Sequence, residues 1–240
     1  MSRPPAASPP RARRPAKITP VAVDLIALGD PLVVSGLTGV PGRSDRMRVS
    51  INGAEIGDLT IDFVAEHRVS EGREITRDTA HEIVAAVNRT IVLDKALDLL
   101  AVRARSARDL RTRLRRAAAA DADISWAIDR LVRQGFVDDA AYARQVARAK
   151  VLGGGVSRRK VVNELRRRGV SAETADDAID ATLSEVDLDE EGAALQAAHK
   201  RMRALSSLEP AKQRQRLYAY LARRGFESDV VRRVIAAVMR

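Results

Sequence analysis

Four groupings in the sequence carry residue types able to do chemistry: three histidines, two acidic clusters and a glycine-rich turn followed by cations. His67, His81 and His199 stand alone, and His81-Glu82 lacks the second histidine, one helical turn on, that a zinc helix requires. Asp138-Asp139 is a carboxylate pair of the kind magnesium accepts. It follows Gly135-Phe136 and directly precedes the helical stretch AAYARQVARAK, so helix capping is the favoured reading. Asp187, Asp189, Glu190 and Glu191 cluster where a helix begins, a position in which the macrodipole favours acidic groups. Gly153-Gly154-Gly155 precedes Ser157-Arg158-Arg159-Lys160, which can present amides and cations to a phosphate. It is not a Walker motif, and a mobile turn between two helices explains the glycines equally well. With no cysteine there is no disulfide, thiolate metal site or cysteine nucleophile, a usage that fits a reducing compartment. These residues assemble no catalytic centre, so the expectation is a binding and regulatory protein, not an enzyme, with no cofactor and no metal.

The basic side chains carry more information. In the stretch from Ser106, helical spacing puts Ala107, Leu110 and Leu114 on one face and Arg108, Arg111 and Arg115 on the opposite one. Arg159 and Arg166 share a face of a later helix, with Arg158, Lys160 and Arg167 beside them. These eight residues are the candidate contacts to nucleic acid or to a protein filament on it. The net charge of +10 is unevenly spread. Residues 1–17 hold five basic and no acidic groups, 18–93 hold seven and eleven, 94–169 nineteen and nine, and 170–240 eleven and twelve. A basic tail and a basic middle block suit a polyanion, because clustered cations release phosphate counterions. The alternative is an ordinary solvated face, as in the arginine-rich proteins of high-GC genomes. Aromatic residues for stacking on single-stranded bases are scarce, and Trp126, Tyr142 and Phe136 fall at apolar helical positions that suit core packing.

The elements that position these residues are mainly helical. Residues 1–17, rich in Pro, Ala and Arg, offer little apolar surface and read as a disordered basic tail without a signal peptide. Met47, Val49 and Ile51 alternate with polar residues, Asn52-Gly53 suits a tight turn, and Leu59, Ile61 and Phe63 alternate again, which predicts a β-hairpin. Leu32 to Leu37 adds a third strand, covered by a helix that starts near Arg77, is capped by Thr76 and carries Ile83, Val84 and Val87 inward. From Leu93 the apolar residues recur every three or four positions. Three segments align as an internal repeat: Leu114-Arg-Arg-Ala-Ala118, Leu165-Arg-Arg-Arg-Gly169 and Leu221-Ala-Arg-Arg-Gly225, each followed ten positions later by Ile128, Ile179 or Ile235. Gly169 and Gly225 suit left-handed helix ends, and Ser171 and Ser228 suit the caps of the next helices. Such units bury a continuous core by packing on their neighbours. No run approaches the roughly 18 apolar residues of a membrane span, so a soluble cytoplasmic chain with no membrane contact is expected.

These segments resemble the RecX family of bacterial recombinase regulators from about Leu32 onward. The carrying motifs are KALDLLAVRARSARDLRTRL at Lys95–Leu114, LVRQGFVDDAAYARQ at Leu131–Gln145, NELRRRGVS at Asn163–Ser171 and LARRGF at Leu221–Phe226. The hairpin followed by VSEGREIT at Val69–Thr76 looks like the N-terminal extension of longer members. Two departures stand out: Ala117-Ala118 replaces the usual glycine, and the tail before Ile18 matches no family pattern. The resemblance implies a tail at 1–17, a β-rich extension at 18–92 and three tandem three-helix repeats at about 93–134, 138–186 and 187–240 in a curved array. It further implies a monomer that lies in the groove of a RecA filament on single- or double-stranded DNA. There it lowers RecA's ATP hydrolysis and strand exchange, a role in recombination, DNA repair and the SOS response. The acidic run from Glu173 to Glu191 would face basic recombinase surface or solvent. Two other classes remain open: a magnesium-dependent nuclease using the acidic clusters, and a helix-turn-helix transcription factor.

Overall fold

The structure, a computed structural model, describes residues 17–152, 155–185 and 189–239. The disordered-tail expectation for 1–17 therefore lies, but for Lys17, outside the described residues. Two compact units are formed by the described residues, one by those up to Ala96 with Arg113–Ala127, the other by Leu97–Thr112 with those from Ile128 onward.

In the first unit, β1 (Leu32–Val40), β2 (Arg43–Ile51), β3 (Ala54–Thr60) and β4 (Glu74–Ile75) form an antiparallel sheet in the order β3-β2-β1-β4. The β2–β3 hairpin closes through Asn52 and Gly53, at φ 46° and 84°, with Ile51 opposite Ala54. Two expectations need correction. Ile61 and Phe63 do not continue the strand: the ladder ends where Arg46 pairs with Thr60, and the Thr60 hydroxyl accepts the Phe63 N–H at 3.3 Å to start α1 (Ile61–Glu66). The sheet also has a fourth strand, two residues long, paired through Leu32–Ile75 and Val33–Glu74 and too short to show alternation.

The covering helix, α2 (Arg77–Val102), begins where Thr76 accepts the Thr79 N–H at 3.2 Å. Ile83 and Val87 pack on Val49, Ile51 and Leu59 in the core of this unit. Buried Arg46 on β2 ties the sheet to the helix through Asp94 at 2.9 Å, with Asp45 as its second carboxylate. α2 is continuous for 26 residues. The boundary read at 92/93 falls inside it.

The remaining helices are α3 (Ala107–Arg116), α4 (Asp121–Arg133), α5 (Asp139–Leu152), α6 (Arg158–Arg167), α7 (Ala172–Glu185), α8 (Glu190–Met202), α9 (Pro210–Arg223) and α10 (Ser228–Val238). In the second unit, α5–α7 enclose one apolar cluster around Ala147, Val161, Leu165 and Ile179. Helices α8–α10 enclose another around Ala194, Leu217, Leu221, Val231 and Ile235. The repeat register is visible in the backbone. The N–H groups of Ala119, Val170 and Phe226 donate to Leu114, Leu165 and Leu221, the aligned leucines. At the position between, Ala118, Gly169 and Gly225 all take left-handed φ values of 68°, 92° and 90°. Ala118 holds this conformation with a Cβ, at a cost of about 1 kcal/mol. Ala118→Gly is accordingly expected to raise the thermal midpoint by about 2–4 °C, followed by circular dichroism; an unchanged or lowered midpoint would contradict this. Ser171 caps α7 as read, accepting from Thr174 N at 3.0 Å. Ser228 does not cap α10. Glu227 occupies that extended position without a capping bond, and the Ser228 hydroxyl accepts instead from Tyr218 at 3.3 Å.

Candidate nucleic-acid interface

Within the second unit, the middle helices of successive repeats meet end to end. The Ser106 hydroxyl, which accepts the Asp109 N–H at 3.1 Å to cap α3, also donates to the Arg168 carbonyl at the end of α6. Asp139 adds a second cap, accepting the Ala107 N–H at 2.8 Å. The next junction repeats the plan. Ser157, whose side chain caps α6, donates its N–H to the Arg224 carbonyl at the end of α9 at 3.1 Å. Arg224 returns a bond to the Gly155 carbonyl at 2.9 Å, and Lys160 Nζ donates to the Arg223 carbonyl. The closeness depends on the left-handed glycines. A Cβ at Gly169 would lie 2.5 Å from Arg108 Cβ, and one at Gly225 would lie 2.5 Å from Ser157 Oγ. The carbonyl end of α6 thus faces the amide end of α3, and that of α9 faces the amide end of α6, the favourable arrangement for two helix dipoles.

On this row, α6 turns Val161 and Leu165 inward and leaves Arg159, Asn163, Arg166 and Arg167 exposed. Arg159 and Arg166 share the outer face, as the spacing requires. On α3 the geometry is less simple than a two-faced helix. Arg108 is exposed and Arg111 half-buried, so the basic stripe flanks the apolar one where direct opposition was expected; at 100° per residue Arg111 lies beside Ala107. Past Thr112 the helix belongs to the first unit, where Arg115 meets Asp121 at 2.7 Å; this bond holds the Arg115 guanidinium more firmly protonated.

The eight candidates thus separate by their partners. Arg158 bonds to Asp176 at 2.8 Å and to Asp180, Arg159 meets Glu227 at 3.0 Å, and Lys160 closes the junction. Arg108, Arg111, Arg166 and Arg167 carry no ion pair among the described residues. Arg116, Arg214, Arg216 and Arg223 are also exposed on α3 and α9 and were not singled out from sequence. The repeat alignment held the signal: Arg116, Arg167 and Arg223 occupy one aligned position.

The described members of the acidic clusters hold helix ends and an ion pair. Asp138 caps α5 by accepting the Ala141 N–H at 2.9 Å, Asp189 caps α8 by accepting from Gly192 at 2.7 Å, and Glu191 meets Arg233 at 2.9 Å. Asp187, Gly153 and Gly154 lie outside the described residues. A Cβ at Gly155 would collide with the Ala193 carbonyl, so that glycine serves packing. The acidic run is paired in part within the chain, Asp176 and Asp180 with Arg158 and Glu185 with Arg148 at 3.7 Å. Phe136 is a correction. It is 61% exposed, because its neighbour Val137 takes the buried position after the turn. Tyr142 is half-buried against the α5–α7 cluster, its hydroxyl accepting from Arg168 at 3.1 Å, and Trp126 is half-buried.

Burial opposes ionisation of Glu164, but Lys150 at 2.9 Å and Arg168 outweigh it and hold the carboxyl below its ordinary range. The Arg158 hydrogen bond does the same for Asp180. A depressed carboxyl stabilises the fold above its unfolded pKa and loses that contribution as pH falls through the folded value. The thermal midpoint is expected to stay level from about pH 7 to 5 and to drop between about pH 4 and 2. In Glu164→Gln the drop should be smaller; an equal drop would place the acid-labile groups elsewhere.

Three family profiles match this chain: RecX, first three-helix domain, at residues 93–131; RecX, second three-helix domain, at 138–179; and RecX, third three-helix domain, at 189–235. A regulatory protein RecX of Amycolatopsis mediterranei is 35% identical over 144 residues, 60% of this chain and 80% of that one. Another, of Levilactobacillus brevis, is 25% identical over 82% of this chain and 73% of its own. A crystal structure of regulatory protein RecX superposes with a TM-score of 0.68 at 20% identity, over 85% of this chain and 98% of that one. RecX from Lactobacillus salivarius gives 0.53 at 18% identity, over 63% and 96%. At these identities the two structures show the shared fold. No described helix is long and apolar enough to cross a membrane.

Proposed function

Since the chain belongs to the RecX family of regulatory proteins, we propose that it binds the RecA filament on DNA and lowers the filament's ATP hydrolysis, extension and strand exchange. The observation that carries this reading is the end-to-end row of α9, α6 and α3, with exposed arginines that the chain itself leaves unneutralised. A row of cations held on rigid helices suits the repeating charge of a phosphate backbone and reads no base sequence. That argues against a transcription factor. The acidic clusters already serve caps and ion pairs, which leaves the nuclease reading without support. Within the acidic run, Glu173, Asp177 and Glu190 carry no ion pair among the described residues, which leaves them available to basic recombinase surface. The protein acts in this reading as a monomer in the cytoplasm, on single- or double-stranded DNA coated by RecA.

The test is co-sedimentation with RecA filaments assembled on DNA with a non-hydrolysable ATP analogue and magnesium. The protein is expected to pellet with the filament more completely than with bare DNA, and the DNA to stay intact. Equal recovery on bare DNA would leave a nonspecific DNA-binding helical protein with another partner. Cleaved DNA would revive the nuclease.

A further inference from the structure

The junction between the second and third repeats contains a cleft of about 470 Å³ lined by Arg159, Lys160, Asn163, Glu164, Arg167 and Gly225. Its one acid is already engaged, because Glu164 is bound by Lys150 and Arg168. Its three cations are not equally engaged. Arg167 has no ion pair among the described residues, Lys160 uses one of three ammonium donors on the Arg223 carbonyl, and Arg159 meets Glu227 at 3.0 Å. The Asn163 amide is exposed beside them. The equivalent place at the first junction is built differently. There Asp109 stands where Lys160 stands, and it pairs with Arg105 at 2.9 Å. Holding the repeats together engages Lys160 and Arg159, but it gives Arg167 and the Asn163 amide no partner among the described residues.

From these observations we infer that the cleft is a phosphate-binding site, that Glu227 occupies Arg159 until a phosphate arrives, and that the ligand is one phosphodiester of a nucleic-acid backbone. The assignment to nucleic acid rests on the function proposed above; the phosphate chemistry does not. An arriving phosphate offers Arg159 a bidentate partner in place of an exposed carboxylate, while Lys160, Arg167 and Asn163 supply further donors. The Arg159–Glu227 contact joins the N-terminal turn of α6 to the cap of α10. Occupancy therefore exchanges a contact between repeats for a contact to ligand. Glu227 makes no capping hydrogen bond, so Glu227→Gln removes the competitor without unmaking the helix.

The experiment uses the full chain labelled with nitrogen-15 at constant ionic strength. Inorganic phosphate and a short oligothymidylate are titrated separately, and the Asn163 side-chain amide and Gly225 N–H are followed by NMR. Both ligands are expected to shift these signals to saturation. Glu227→Gln should lower both midpoints about threefold, the worth of an exposed ion pair, and Arg167→Gln should raise them by a similar factor. If neither ligand moves Asn163 or Gly225 while DNA affinity measured by anisotropy is intact, the cleft is wrong and the exposed row stands. Shifts with phosphate alone would keep the anion site and overturn its assignment to nucleic acid. Shifts indifferent to Glu227→Gln would overturn the competition. A chain with no DNA affinity and no shifts would remove both the cleft and the row.

Discussion

Replacing Arg108, Arg111, Arg166 and Arg167 together by glutamine is expected to weaken binding to mixed-sequence DNA by about a hundredfold near 0.1 M salt, with helicity unchanged. Each guanidinium carries no ion pair among the described residues, so its removal takes away a cation without leaving a carboxylate stranded. At roughly 0.7 kcal/mol per exposed contact, four contacts amount to about two orders of magnitude in Kd. The salt dependence is the sharper readout. Each lost phosphate contact lowers the slope of log K against log salt by about 0.7 to 0.9, so the variant should fall by about 3. Arg158→Gln is the control. Its guanidinium is bound by Asp176 and Asp180, so its loss should act mainly on the stability of the second repeat and leave the salt slope alone. An unchanged slope in the fourfold variant would move the contact to other cations, with Arg116, Arg214, Arg216 and Arg223 the next candidates.

The second large effect is expected at Gly225. Valine there must take φ near 90° and place its Cβ 2.5 Å from Ser157 Oγ and 3.2 Å from Lys160 Cβ. The left-handed backbone costs about 1–2 kcal/mol and the overpacking a further 1–3 kcal/mol. Gly225→Val should therefore lower the thermal midpoint by about 6 °C or more. The substitution also pushes α9 away from α6, where the Ser157 N–H and Lys160 ammonium meet the carbonyls of Arg224 and Arg223. DNA affinity should fall with no cation removed. A stable variant with full affinity would show that the row does not depend on that junction.

Much of this architecture was readable in the sequence because it depends on local spacing. The leucine, glycine and isoleucine register marked three helix pairs, and Ile128, Ile179 and Ile235 are all buried. Thr76, Ser171 and the Asn52-Gly53 turn act within three or four residues of themselves, which is the range over which sequence patterns report. Ile61 and Phe63 depart from the strand their alternation predicts because a capping threonine converts it into a helical turn, a competition that period-two spacing does not register. The site was only partly legible. That Arg108 and Arg159 belong to one row follows from Ser106 meeting Arg168, 62 residues on, and from Ser157 meeting Arg224. Which arginines are available follows from long-range pairs such as Arg158 with Asp176 and Asp180. Helical wheels give a side chain its direction but not its partner.

Regulation of a recombinase filament would show itself in the DNA-dependent ATP hydrolysis of the cognate RecA. Titrated in at substoichiometric amounts, the wild-type chain should lower the steady-state rate in a dose-dependent way, and the fourfold arginine variant should need far more protein for the same fall. A rate unmoved by the wild-type chain at concentrations that saturate the DNA would contradict the claim.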